Sequence, residues 1–226
     1  MKHAIVYILL ACIFLSSCTS AAPTTKSKQL NIQYSAASIP WLAGLFNCAG
    51  GDVIAAEQRG AAFLGPSSAD MVIRLGLPGD PNPFSYQIGT DKLLVITNRN
   101  NPATTLTADQ IHGLFTGQIQ NWKTIHGTDA PVDVWVYPAG EDIQGIIVQT
   151  MLDGSPVSSS ARLANNPEDM LQAIEKDVNA VGIIPSRWKN GNVSGVYTAP
   201  GNFPVLAIST TKPQATLANI LACMQK

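Results

Sequence analysis

The sequence predicts an α/β fold, and three observations carry that prediction. Short apolar runs suited to strands alternate with amphipathic runs suited to helices along most of the chain. Gly- and Pro-rich stretches at 76–84 and 191–204 break the pattern where loops are needed. Setting aside an export signal leaves about two hundred residues, enough for one large or two small domains.

Lys2 and His3 precede an apolar run over residues 4–15, which ends in Leu15, Ser16, Ser17 and Cys18. The run is short against the ~20 residues a transmembrane helix needs. The tetrapeptide is similar to a bacterial lipobox: cleavage before Cys18, a diacylglycerol on its thiol, and a flexible tether over residues 19–28. An ordinary secretory signal and an uncleaved anchor are the alternatives.

Residues 29–34 alternate as a strand and lead through Ser35 to the apolar run 39–46. Pro40 stands near the first turn of that predicted helix and Ser38 at its N-cap, with Trp41, Leu42 and Phe46 as core. Residues 68–73 read as a turn entering a short buried strand. Residues 86–91 and 92–98 then form a second extended stretch.

The segment from Leu106 to Ile125 is the most informative in the chain. Thr107, Gln110 and the spacing of Ile111, Leu114 and Phe115 describe a helix opened by a capping box. Gly113 inside it implies a close packing contact, and Gly117 stands where a left-handed cap ends it. Asn121 and Trp122 make a turn whose indole covers the helix end.

Beyond it the pattern predicts a strand over 132–137, a helix from Glu141 to about Leu152, and a helix over 168–176 introduced by Asn166 and Pro167. A buried strand follows at 181–185, another at 205–210, and a terminal helix at 214–224. Trp188, beside Arg187, is open to a core or a site role.

A net charge of −1 with 13% charged residues leaves no electrostatic footprint for nucleic acid. Beyond the signal, His112 and His126 are the only histidines, and both read as surface residues. No hydrolase, zinc-protease or phosphate-loop pattern occurs, so neither an enzyme, a cofactor nor a metal site is expected. Cys48 and Cys223 remain after Cys18 in an exported chain; a bridge and two buried free thiols are equally open from spacing alone.

The segment at 106–125 resembles the "LT..Q...IF.G.I.NW" stretch of the phosphate-binding-protein-like family, the substrate-binding proteins of phosphate ABC transporters and their relatives. Ser38-Ile39-Pro40 matches the tail of its first strand-turn-helix. Residues 68–73 are similar to its "aDia" segment, 86–98 to "iA.D.lavivN", and 179–185 to "..D.nAIGYvp". The resemblance implies a two-lobed periplasmic-binding-protein-like fold of type 2, with mixed sheets flanked by helices and a ligand cleft between lobes. Lobe 1 would be 29–95 plus 185–226 and lobe 2 would be 96–184. The crossing strands would lie near 92–98 and 181–185. Both chain ends return to lobe 1, which favours a Cys48–Cys223 disulfide. The implied partners are a small-molecule solute, an ABC permease and, through Cys18, a membrane; the implied state is a monomer at the extracytoplasmic face of a bacterial membrane.

The family holds its oxyanion with an arginine and hydroxyls from a motif like "R..GSGT". Here Tyr137 replaces the arginine, Glu141 the serine and Ile143 the threonine. An anion beside Glu141 and Asp142 would meet about 4 kcal/mol of repulsion per unit-charge pair at 4 Å and an effective dielectric near 20. Phosphate is therefore not the expected ligand. By position, Ser35, Ser38, Asp70, Tyr137, Gly140, Glu141 and Asp142 would line the cleft. Three roles remain open for Glu141 and Asp142: helix caps on a solvated surface, selectors of an amine, cation or neutral polyol beside Tyr137 and Trp135, or remnants in a surface or sensing module without a small ligand.

Overall fold

The computed structural model describes residues 29–51, 53–58, 69–76 and 84–226. The export signal, Cys18 and the tether lie outside these, as does most of the Gly/Pro loop expected at 76–84.

Two five-stranded sheets organise the described chain. The first takes the order β2-β1-β3-β10-β4 from β1 (Leu30–Tyr34), β2 (Val53–Glu57), β3 (Met71–Leu75), β4 (Ser85–Asp91) and β10 (Phe203–Ile208). The second takes the order β7-β6-β8-β5-β9 from β5 (Leu93–Asn98), β6 (Asp133–Val136), β7 (Arg162–Leu163), β8 (Ala180–Pro185) and β9 (Val193–Thr198). In each, three neighbouring strands run parallel and the fourth runs antiparallel to them. That fourth strand, β10 in one sheet and β5 in the other, is the one arriving directly from the opposite sheet.

The helices are α1 (Leu42–Ala49), α2 (Ala108–Phe115), α3 (Asp142–Thr150), α4 (Pro167–Lys176) and α5 (Ala215–Met224). Helix α2 has both capping-box bonds, from the Gln110 amide to Thr107 Oγ1 and from the Thr107 amide to Gln110 Oε1. Gly113 packs so tightly that a Cβ there would lie 2.8 Å from Ile119 Cδ1, and Gly117 has φ +80°. Trp122 is fully buried and donates from Nε1 to the Asn179 carbonyl, 2.9 Å. At α4 the Asn166 side chain caps the Asp169 amide at 2.8 Å, with Pro167 at the first turn. Among the described residues no helix is long and apolar enough to cross a membrane.

Four features depart from the sequence reading. The first helix begins as a 3-10 turn, Ala36–Trp41, that contains Ser38 instead of being capped by it. Phe46 is 48% exposed, because α1 faces the core with Leu42, Leu45 and Ala49 and Phe46 projects from the opposite side. Strand β9 lies inside the stretch read as a loop; its pairing with β5 shifts register between Val95 and Ile96, which spoils the two-residue alternation. Lastly, β8 does not cross between lobes. It pairs antiparallel with β5 throughout, so both belong to the second sheet, and β9 joins them there instead of in the first lobe. The chain crosses at Asp91–Leu93 and again at 198–203. A buried apolar run such as 181–185 announces a strand without saying which sheet receives it.

Cys48 in α1 and Cys223 in α5 are joined by a disulfide with Cα atoms 5.8 Å apart and 175 residues between them. The bond closes most of the chain into one loop. Reducing it, or replacing both cysteines by alanine, is expected to cost about 2–5 kcal/mol, checked by urea unfolding with and without reductant. An unchanged midpoint would show that α1 and α5 hold together by packing alone.

Candidate functional site

Parallel strands deliver their carboxyl ends to one edge of a sheet, and loops there gather into a crevice. Here four such ends converge, two from each sheet. Tyr34 of β1 leads into Ser35, β3 ends at Leu75, β6 leads through Tyr137 to α3, and β8 leads into the 3-10 helix Ser186–Trp188.

At the centre lies the Asp142 carboxylate, at the N-terminus of α3. Its Oδ2 accepts from Ser35 Oγ at 2.6 Å and from the Leu75 amide at 2.9 Å, both from the first sheet's side; its Oδ1 accepts from the Ile143 amide at 2.8 Å. The Asp142 residue is partly accessible, but its carboxyl is enclosed by protein, and this loss of water raises its pKa above the ordinary value. The bonds from Ser35, Leu75 and Ile143 and the charge of Arg74 act the other way without cancelling it. Glu141 is the N-cap residue and is buried. Gly140, exposed with φ +96°, makes the turn that turns the chain into the helix.

Two further contacts bind the sides together. The Arg187 guanidinium stands 4.1 Å from the centroid of the Trp41 ring. Trp188 Nε1 donates to the Ala37 carbonyl at 3.3 Å. Trp41 is itself pressed onto Gly89 of β4, where a Cβ would fall 2.0 Å from the ring. Below them, at the first crossing, buried Asp91 accepts through Oδ1 from the Lys92 amide and from the amide and hydroxyl of Ser186.

Of the seven residues expected in the cleft, Ser35 and Asp142 meet directly, with Glu141 and Gly140 beside them. Tyr137 lies underneath, 2% exposed, its hydroxyl donating to the Ile183 carbonyl at 2.7 Å. Burial, with Asp142 and Glu141 nearby, pushes its pKa well above the usual phenol value. Ser38 is fully buried and its hydroxyl faces the backbone carbonyls of Ser35 and Ile73 at 2.8 and 3.0 Å. Asp70 stands just before β3, accepting from the Asn31 amide at 2.9 Å; five residues of strand, about 16 Å, separate it from Leu75 and the cleft. Trp135 faces elsewhere, in a groove of about 380 Å³ with Arg162 and Gln172. Sequence reading missed the Leu75 amide, Arg74 and the Arg187–Trp41 pair. A backbone donor has no signature in residue type, and Arg187 and Trp41 lie far apart in the chain.

Two outcomes follow from this geometry. Because the Asp142 pKa is raised on folding, the folded chain holds that proton more tightly than the unfolded chain. The stabilisation from this group is full below the ordinary carboxylate value and is lost as pH rises through the folded value. Asp142→Asn should therefore gain stability relative to the parent as pH rises above the ordinary carboxylate value of about 4, read by urea unfolding at each pH; a constant difference would place the carboxyl in water. Gly89→Ala should expel the Trp41 ring and with it the Arg187 contact, measured as a red-shifted tryptophan emission.

The sequence profile of the PBP superfamily domain matches residues 75–222. Among solved structures, a protein assigned as a phosphate ABC transporter substrate-binding protein, with bound phosphate, from Clostridium perfringens superposes with a TM-score of 0.76 at 20% identity, covering 86% of this chain and 92% of that one. An ABC-type phosphate transport receptor from Vibrio cholerae gives 0.67 at 19% identity, covering 87% and 93%. A sulfate-bound variant of the OxyR2 regulatory domain from Vibrio vulnificus gives 0.59 at 14% identity, covering 87% and 94%. The mixed α/β architecture is thus that of two-lobed type 2 binding proteins. By the match over most of its described length, this chain belongs to the PBP superfamily.

Proposed function

We propose that the chain is an extracytoplasmic solute-binding protein of the ABC-transporter type, anchored through a lipid on Cys18, whose cleft does not take phosphate. One observation carries this reading: the donors that converge between the sheets, Ser35 Oγ and the Leu75 amide, already bond the Asp142 carboxylate. A phosphate would have to displace that carboxylate and then stay close to it and to Glu141, at about 4 kcal/mol per like pair at 4 Å and dielectric 20. A solute carrying an amine or several hydroxyls would instead donate to these carboxylates. Family membership and the convergence of strand ends support a binding role and not catalysis. An ABC permease would receive the solute, and the binding protein would act as a monomer.

The contacts of Arg187 with Trp41 and of Trp188 with Ala37 favour a second reading, in which the closed lobes form a surface for sensing or for an accessory subunit. A thermal-shift panel of phosphate, sulfate, amines, amino acids and sugars separates the two. A solute at a hundred times its dissociation constant adds about 2.7 kcal/mol. The expected result is stabilisation by an amine or a polyol with none from phosphate. Stabilisation by phosphate sinks the reading of Asp142, and silence across the panel transfers the argument to the surface module.

A further inference from the structure

We propose that Asp142 acts as a tethered ligand, a side-chain carboxylate that occupies an oxyanion cradle in the cleft and holds the lobes closed with no solute bound. The inference rests on the reading of this crevice as a binding cleft.

In a two-lobed protein that closes on a solute, the solute is the bridge: each lobe supplies donors, and closure is stable only while something between them accepts. Here the acceptor belongs to the chain. Oδ2 of Asp142, carried by the second sheet's α3, takes Ser35 Oγ at 2.6 Å and the Leu75 amide at 2.9 Å from the first sheet. Both bonds are charge-assisted, so each is stronger than a neutral pair. The third bond, from the Ile143 amide to Oδ1 at 2.8 Å, fixes the carboxylate's orientation on its own helix. Arg74, beside Leu75, is close enough for its charge to favour the ionised carboxylate. A side-chain hydroxyl and a backbone amide converging on one oxygen are the components of an oxyanion cradle.

Tethering changes the thermodynamics of closure. A free solute at micromolar concentration competes against opening by mass action, whereas a group on a short tether acts at an effective concentration in the millimolar range or higher. The closed arrangement is then populated at any solute concentration. The Arg187–Trp41 and Trp188–Ala37 contacts close in the same sense at the mouth of the crossing. A partner that recognises closed lobes would meet this protein always ready, and a solute would gain entry only by drawing the Asp142 carboxylate off Ser35 and Leu75 onto donors of its own.

The test uses the exported chain with Cys18→Ser to prevent lipidation, followed by small-angle scattering and calorimetry. The parent is expected to be compact and to give no change of radius and no heat with inorganic phosphate or sulfate. Asp142→Ser, which removes the carboxylate and leaves a short hydroxyl, is expected to show a larger radius of gyration, to bind phosphate at least about tenfold more tightly than the parent, and to return to the parent's radius when it does. Ser35→Ala removes a cradle donor without touching α3. It should open the lobes with no recovery by phosphate, and it carries the test if Asp142→Ser does not fold. Variants as compact as the parent would overturn the proposal. So would a parent that binds phosphate, or an opened Asp142→Ser that neither anion recloses, since the carboxylate would then be an ordinary hydrogen-bond partner and not a ligand substitute. The solute reading fails separately: it falls if the parent responds to no solute, whatever these variants do.

Discussion

A carboxylate withdrawn from water loses several kcal/mol of hydration unless hydrogen bonds and opposite charge replace it. Asp142 meets that requirement only because two strand ends of the first sheet present donors to it while its own helix supplies a third. Ser35 can reach it because β1 ends one residue earlier, and the Leu75 amide is available because it is the last residue of β3. The replacement is incomplete, which is why the pKa stays raised. Separating the lobes would rehydrate the carboxylate but would also release two ordered donors. The balance between these terms sets how firmly the cleft is shut, and the placement of Arg187 and Trp188 depends on the cleft being shut.

The sheets impose a matching constraint on where motion can occur. Each receives the incoming strand next to its edge and antiparallel to the rest, so each lobe is incomplete without a strand from the far side of a crossing. β4 passes into β5 through the single residue Lys92, and β9 passes into β10 through residues 199–202. A hinge between the sheets would have to fall in these two connections. Asp91 guards the first: by gathering the Lys92 amide and both donors of Ser186 onto one oxygen, it ties the crossing to the end of β8. Ser186 is thereby tied to the first sheet, and its neighbours Arg187 and Trp188 reach the same lobe at Trp41 and Ala37.

Local chemistry was legible in the sequence and long-range placement was not. The capping box at Thr107, the cap at Asn166 and the close contact at Gly113 each depend on residues within a turn or two, so spacing specified them. Ser38 was misplaced because a hydroxyl before an apolar run reads equally as a cap or as a side chain tied to carbonyls inside a 3-10 turn. The second crossing was misplaced because β8 and a true crossing strand share the same buried apolar composition. Asp70 was misplaced because the resemblance that named it marks a segment of chain and not an end of a strand. The cleft was half legible: the departures at Tyr137, Glu141 and Ile143 pointed to an altered anion site, but only the fold brings the Asp142 carboxylate, at a position the motif assigns to glycine, onto Ser35 and the Leu75 amide.

Tyr137 fits its own buried place below the same helix start. A guanidinium would carry five donors into this buried position, each needing an acceptor. Tyrosine needs one, and the Ile183 carbonyl supplies it at 2.7 Å. With the positive charge gone from below, the site draws its cations from the sides, Arg74 near Leu75 and Arg187 over Trp41. Neither replaces an arginine fork aimed into the centre. The charge of Arg74 already acts on Asp142, and Arg187 would have to leave the indole face to reach an incoming anion. The electrostatics thus agree with the hydrogen bonds: the donors and the charge that act on Asp142 are engaged by its carboxylate, and Arg187 is engaged by the Trp41 ring.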